Sequence, residues 1–345
     1  MPGFFSWVSG FFSSNGPSAP QAEPRLFNPV NHNSATSEQE IALVRHLEDH
    51  LFCWLLDSPP SELRADVPRM ATTLDQLGER LATSSIEELP RQPMSLPMLM
   101  RALSDESSDR QRLGDIILSD PALTDQLLQI ANSPYFRPGD QAIESVDQAI
   151  FVLGIDGIRN VISAAVMRPM MVARNSREAL FAQRVWRWGL ACARSAELIA
   201  RLQGQDTNAF FMVGLLPALS YITLRRELQR IYRGRAVGAE PEPAVIRQAL
   251  ARYQWATSQL LANEWNLPPQ YHAYLLAAER PSPRQAHTPL NDGIIIGSRE
   301  VLRHAHQRNM AEENLKTVIR LDDDQFARVR QVVLQMLEGS NRARP

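Results

Sequence analysis

Histidines are the first residues to weigh for chemistry, and two of the seven stand four apart in His46-Leu47-Glu48-Asp49-His50. On a helix that spacing puts both imidazoles on one face, the geometry in which a nitrogen pair grips a divalent metal. The glutamate between them falls at the wrong step for the HExxH and HxxEH signatures of zinc hydrolases. Val44, Leu47, Leu51 and Trp54 form an apolar stripe alongside, so the two imidazoles are expected on the surface, flanking a packing helix. His304-Ala305-His306 is weaker still, because helical residues two apart point in different directions. Between Leu51 and Tyr271 the chain has no histidine at all.

Other chemistries find even less support. Cys53 and Cys192 lie far apart with no CxxC spacing, which argues against a disulfide framework and for a reducing cytoplasm. No Walker loop, GxGxxG, nucleophile elbow or Ser/His/Asp set can be assembled, so no cofactor is expected. Arg225, Arg226, Arg230, Arg233 and Arg235 make a short basic run diluted by Glu227 and Glu240. It reads as a solvated helix end, where cations meet the negative pole of the helix dipole, and nucleic acid is not the expected partner. A net charge of −2 supplies no basic field to change that reading. Lys316 is the only lysine, an arginine bias expected of a GC-rich bacterial genome.

The elements that must position these residues follow from periodicity. Residues 1–37 are expected to be a flexible N-terminal segment rich in Ser, Asn and Pro. Its aromatic cluster over residues 4–12 has no basic neighbours, so membrane contact is the lesser reading and a frayed terminus the main one. No lysine or arginine precedes Arg25, so a secretory leader is not expected. No apolar run approaches the roughly 18 residues of a membrane-spanning helix. From residue 38 to 90 the spacing predicts a helical extension of three helices, ending where Pro90, Pro93 and Pro97 interrupt the pattern.

The remainder, residues 91–340, predicts one all-α domain. Asp120-Pro121 has the form of an N-cap followed by proline at the first helical position. Ser145 caps a further helix that Gly154 ends. Later helices are expected at about 178–203, 206–232, 242–264, 268–279, 289–308 and 322–338, with 233–241 as a surface loop. Alternating strand patterns and internal repeats are missing.

Three ordered blocks then carry a resemblance: Leu118-Ser119-Asp120-Pro121-Ala122-Leu123-Thr124, Ile130-Ala131-Asn132-Ser133-Pro134-Tyr135-Phe136 and Ala149-Ile150-Phe151-Val152-Leu153-Gly154-Ile155. Together they resemble the opening helices of the HDOD domain, a catalytically degenerate relative of the HD and HD-GYP metal-dependent phosphohydrolases. The resemblance implies an HD-like multi-helix bundle with the N-terminal helices as an extension. It also implies where metal ligands would stand. Val185-Trp186-Arg187-Trp188-Gly189-Leu190 matches the segment around the family's first histidine, which places Trp188 there. Val213-Gly214-Leu215-Leu216-Pro217-Ala218-Leu219-Ser220 puts Pro217 and Ala218 at the paired His-Asp positions, and Ile295-Ile296-Gly297-Ser298 puts Ser298 at the last carboxylate. Trp255 occupies a position that is often His in relatives.

Neither indole nor alkyl groups offer a lone pair to a metal, and a serine hydroxyl is a poor ligand. The expectation is a metal site filled in by apolar surface, with no metal and no catalytic residues, and with Pro217 interrupting its helix ladder. The resemblance implies a non-catalytic signalling or regulatory module in a bacterial, cytoplasmic network, acting on another signalling protein or through a homo-oligomer. The alternatives are a small-ligand (nucleotide) sensor reusing the degenerate cleft and a residual metal-dependent phosphohydrolase. Asn132, Tyr135 and Arg159 are the candidate binding residues, with structural use of the same side chains as the main reading and a partner-binding edge as the lesser one.

Overall fold

The computed structural model describes residues 38–90, 110–132, 142–154, 175–236, 238–280 and 287–342, together with Met98, Ile158 and Ala173. Among these residues there are helices and no strands, as the periodicity predicts.

Helices α1 (Glu38–Leu56), α2 (Pro60–Leu63) and α3 (Met70–Ala82) form the extension. Next come α4 (Arg110–Leu118), α5 (Pro121–Ala131) and α6 (146–154). The bundle proper holds α7 (Ser176–Leu202), α8 (Thr207–Arg235), α9 (Pro243–Glu264), α10 (Pro269–Glu279) and α11 (Pro289–His304). Two further helices close the chain, α12 (Glu312–Val318) and α13 (Asp323–Arg342).

Local chemistry explains most of the boundaries. The Asp120 carboxylate accepts from the Leu123 N–H at 3.3 Å, and the Ser145 hydroxyl accepts from the Gln148 N–H at 3.2 Å, so both expected caps are made. Gly154 ends α6 at φ +63°, a left-handed turn that costs glycine nothing. Two expected helix ends need correction, and one helix was not expected. Helix α8 runs through Arg235, into the span expected to be loop, because Arg235 donates to Thr73 Oγ1 at 2.8 Å and Gln76 Oε1 at 3.0 Å and so holds the last turn against α3. Helix α11 stops at His304, four residues early, with His306 at φ +53°. The two-turn α12 lacks a periodic signature long enough to read.

Helix α7 is the axis of the bundle, packed between α8 and α11, with α13 against it as well. The reason is its small side chains. A Cβ on Gly189 would lie 2.4 Å from the Ala218 Cβ, and one on Gly297 would lie 2.6 Å from the Cys192 backbone nitrogen. Both distances are well inside van der Waals contact, so the three backbones approach as closely as they do only because these positions lack a side chain. Helix α8 continues through Pro217 although the proline has no N–H for the ladder. It is also the one described helix long and apolar enough to cross a membrane, and 89% of that stretch is buried inside the bundle.

The extension is packed into the bundle as well. Helix α1 lies on α7 and α11, and α3 lies on α8 and α9. Polar ties join the layers: Arg184 donates to the Trp54 carbonyl and to Asp57 at 2.9 Å, Arg247 to Asp49 at 3.0 Å, and Tyr253 to the Leu74 carbonyl at 2.8 Å.

Candidate functional site

Trp188 sits on the middle of α7, facing the core, and is fully buried. Its indole Nε1–H donates to the Ser298 hydroxyl of α11 at 2.9 Å. A residue of α7 and one of α11, 110 positions apart, therefore meet at hydrogen-bond distance. On α8, Ala218 lies against Gly189, the residue next to Trp188. Pro217 stands beside it in the same buried turn, and its carbonyl accepts the Ser220 hydroxyl at 2.7 Å. Trp188, Pro217, Ala218 and Ser298 thus line one region between α7, α8 and α11. None of these four side chains can present a nitrogen or carboxylate lone pair to a metal.

What fills the region is a stack of rings. Tyr221 of α8 lies 4.8 Å from Trp188, centroid to centroid, at 21° between planes. Phe52 of α1 lies 6.1 Å from Tyr221 on the far side, at 23°. Offset stacks of this kind contribute about 0.5–1.5 kcal/mol per pair beyond the area they bury. The extension supplies the outermost ring, so α1 seals the centre. Tyr221 is buried with no hydrogen-bond partner for its hydroxyl among the described residues, and burial, reinforced by the charge of Glu48, holds its phenol well above the ordinary tyrosine range. Cys192 is enclosed on α7, its thiol 3.8 Å from the Ile294 carbonyl, and burial pushes its pKa well up, away from any thiolate chemistry. Trp255 is buried on α9, and its indole N–H has no hydrogen-bond partner among the described residues.

The histidines stay apart. His46 is exposed, and His50 is half-buried with its pKa lowered by burial and then by the neighbouring His46 charge. Among the described residues no group of three or more His, Cys, Asp or Glu is arranged to hold a metal. His272 Nδ1–H donates to Gln259 Oε1 at 2.7 Å, and His287 meets the buried Asp292 at 2.9 Å. Asp292 also accepts the Arg320 N–H at 3.1 Å, so this His-Asp contact pins the start of α13's approach to α11.

Asn132 is used at home. Its amide donates to the Leu128 carbonyl at 2.9 Å and the Ile143 carbonyl at 2.7 Å, and accepts the Ile143 N–H at 2.8 Å. One side chain both closes α5 and pairs with the strand of chain leading to α6. Tyr135 and Arg159 lie outside the described residues, as do residues 4–12.

Most of the arginine run lies at a solvated helix end, as expected: Arg230, Arg233 and Arg235 are exposed, with Arg230 paired to Glu87 at 2.6 Å and Arg233 facing Glu178 at 3.8 Å. Arg225 departs from that expectation, buried over the Phe181 ring.

Residues 89–281, more than half of the chain, match the model of the HDOD domain family. The chain belongs to the HDOD domain family. Solved structures agree on the fold. A candidate metal-dependent phosphohydrolase from Shewanella amazonensis is 16% identical, with a TM-score of 0.54, over 79% of this chain and 100% of that one. An HDOD domain protein of unknown function from Geobacter sulfurreducens is 18% identical, with a TM-score of 0.51, over 79% and 97%. A second candidate phosphohydrolase from Shewanella amazonensis is 17% identical, with a TM-score of 0.50, over 78% and 98%. Identities this low establish shared architecture and nothing about activity. No curated protein matches the sequence. The HDOD match begins at residue 89, so α1, with its ring in the stack, lies outside the matched part.

Proposed function

We propose that this HDOD protein is a non-catalytic signalling or regulatory module of a bacterial cytoplasm, acting by binding another macromolecule. The observation that carries the reading is the Trp188–Ser298 hydrogen bond within the Trp188–Tyr221–Phe52 stack. The positions assigned to metal ligands by family resemblance are occupied by side chains satisfied by one another. A metal bound there would need lone pairs that Trp188, Pro217 and Ala218 lack, and it would have to displace a packed ring. The use of surface supports the same reading. Leu118 and Phe151, on the α4 and α6 helices of the matched part, are large apolar side chains left 58% and 70% exposed, as at many protein-binding faces.

The test is elemental analysis of the purified full-length chain together with hydrolysis assays on cyclic dinucleotides and generic phosphodiesters. The expected result is no stoichiometric transition metal and no turnover. Near-stoichiometric metal with turnover would overturn the reading and favour a residual phosphohydrolase built from other residues. Light scattering on the same sample tests self-association, and Leu118→Ser with Phe151→Ser is expected to weaken any dimer found.

A further inference from the structure

Arg225 is only 9% exposed, yet among the described residues its guanidinium forms no ion pair and its Nε no hydrogen bond. Its one defined contact is the Phe181 ring, 4.4 Å from Cζ. A guanidinium carries five N–H donors and stays charged at any physiological pH, so burying it without an anion is costly. Burial presses its pKa down, Glu178 and Glu240 oppose that, and the like charge of Arg177 adds to it. Two cations thus crowd the same place.

That place opens into a cleft of about 280 Å³, between the C-terminal end of α1 with α2 and the first turns of α7 and α9. The size is at the lower end of small-ligand pockets, which run from roughly 300 to 1,000 Å³. One wall is apolar, formed by Leu55, Leu180, Phe181 and Ile246, and Arg225 and Arg177 line it as well. Asp57, Glu62 and Glu240 also line the cleft. Asp57 is held by Arg184 at 2.9 Å, and Glu240 faces Arg177 at 3.8 Å. With Asp57 taken up by Arg184 and Glu240 by Arg177, Glu62 and Arg225 remain as the opposed charges of the cleft, a balance that admits at most one negative charge, at Arg225, and repels a polyphosphate.

We propose that this cleft binds a monocarboxylate with an apolar body, its carboxylate on the fork of Arg225 and its hydrocarbon on Leu55, Leu180 and Ile246. A planar carboxylate matches the guanidinium bidentately, which satisfies the donors that the protein itself leaves open. The same chemistry is offered by a free organic acid and by the C-terminal carboxylate of a peptide. The site lies away from the filled centre, so its occupancy does not depend on whether that centre is catalytic.

The experiment is a ligand-observed NMR titration of the full-length protein with hexanoate, with hexanamide as the uncharged match, and with acetyl-leucyl-leucine and its amide. Both acids are expected to bind more tightly than their amides, by on the order of tenfold to a hundredfold, the worth of a charge-assisted hydrogen-bond pair. Arg225→Met is expected to remove that preference while its melting temperature stays equal or rises, since an unpaired buried charge is lost. Leu180→Asp, at a half-buried position on the wall, should weaken both acids without relying on a change in the interior. Arg225→Lys, which keeps the charge and loses the fork, should fall between. A peptide tighter than hexanoate by tenfold or more supports a protein terminus as the source; equal or weaker binding supports a free acid. The proposal is overturned by equal affinity for acid and amide, by wild-type acid binding in Arg225→Met, or by no acid binding at about 10 mM, where even a weak single-ion-pair ligand registers.

Discussion

Helices α7 and α8 meet twice, and the two meetings are opposite in character. Around Gly189 and Ala218 the backbones are as close as they can be, and rings and a hydroxyl satisfy one another in the space left beside them. Eight residues back on α7 and seven further on along α8, about 10–12 Å along the axes, Phe181 meets Arg225, a buried charge over a ring with no ion pair among the described residues. Small residues draw helices together and leave room only for what already packs there. A large ring and a guanidinium occupy the other meeting and line one side of a cleft.

The comparison can be broken most forcefully at Trp188. Trp188→Ala removes the fully buried inner ring of the stack and should cost about 3–5 kcal/mol of unfolding free energy, read as a lower urea midpoint. A loss below about 1 kcal/mol would mean the centre is loosely filled and still open to a ligand. Gly297→Ala comes next, at about 3 kcal/mol, the upper end of overpacking costs, because its Cβ would strike the Cys192 backbone and not a flexible side-chain tip. If the variant is as stable as the parent, α7 and α11 can slide, and tightness does not separate the two regions.

Two smaller substitutions sharpen the contrast within the centre itself. Ser298→Ala leaves the buried Trp188 N–H without its acceptor and should cost about 1–3 kcal/mol, with a shift in the tryptophan emission of the native state. Tyr221→Phe, although at the heart of the same stack, should change stability by less than about 0.5 kcal/mol or raise it, since the deleted hydroxyl has no hydrogen-bond partner among the described residues. A large loss for Tyr221→Phe would reveal a polar contact in the centre and weaken the claim that rings alone fill it.

Much of the fold was legible in one dimension. Helices α7, α9 and α10 begin and end within two residues of the positions their apolar spacing predicts, and the Asp120 and Ser145 caps are made by the side chains that announce them. The loss of ligand chemistry was legible too, because Trp188 and Pro217 cannot coordinate a metal in any fold. Less was legible of the site. Nothing local marks Phe52 as the outer ring of the stack, since its neighbours Leu51 and Leu55 look equally suited to a core. Arg225 was hidden among four other arginines of one run, in which Arg230 meets Glu87, Arg233 meets Glu178 and Arg235 meets Thr73. The one available hint was the run of apolar residues around it, Ile222, Leu224 and Leu228, which marks a charged residue on an inward face.

By itself, then, the sequence determined the all-α class, the limits of helices such as α7, α9 and α10, and the absence of metal-binding side chains at the resembling positions. Those properties depend on hydrogen bonds within a turn and on the valence of single side chains, both of which are local. Only the tertiary structure decided that Trp188 reaches Ser298, that α1 seals the stack, and that Arg225 is buried beside a cleft. These depend on how closely α7 approaches α8 and α11, a distance set by contacts such as Gly189 with Ala218 and Cys192 with Gly297, between residues some thirty and a hundred positions apart.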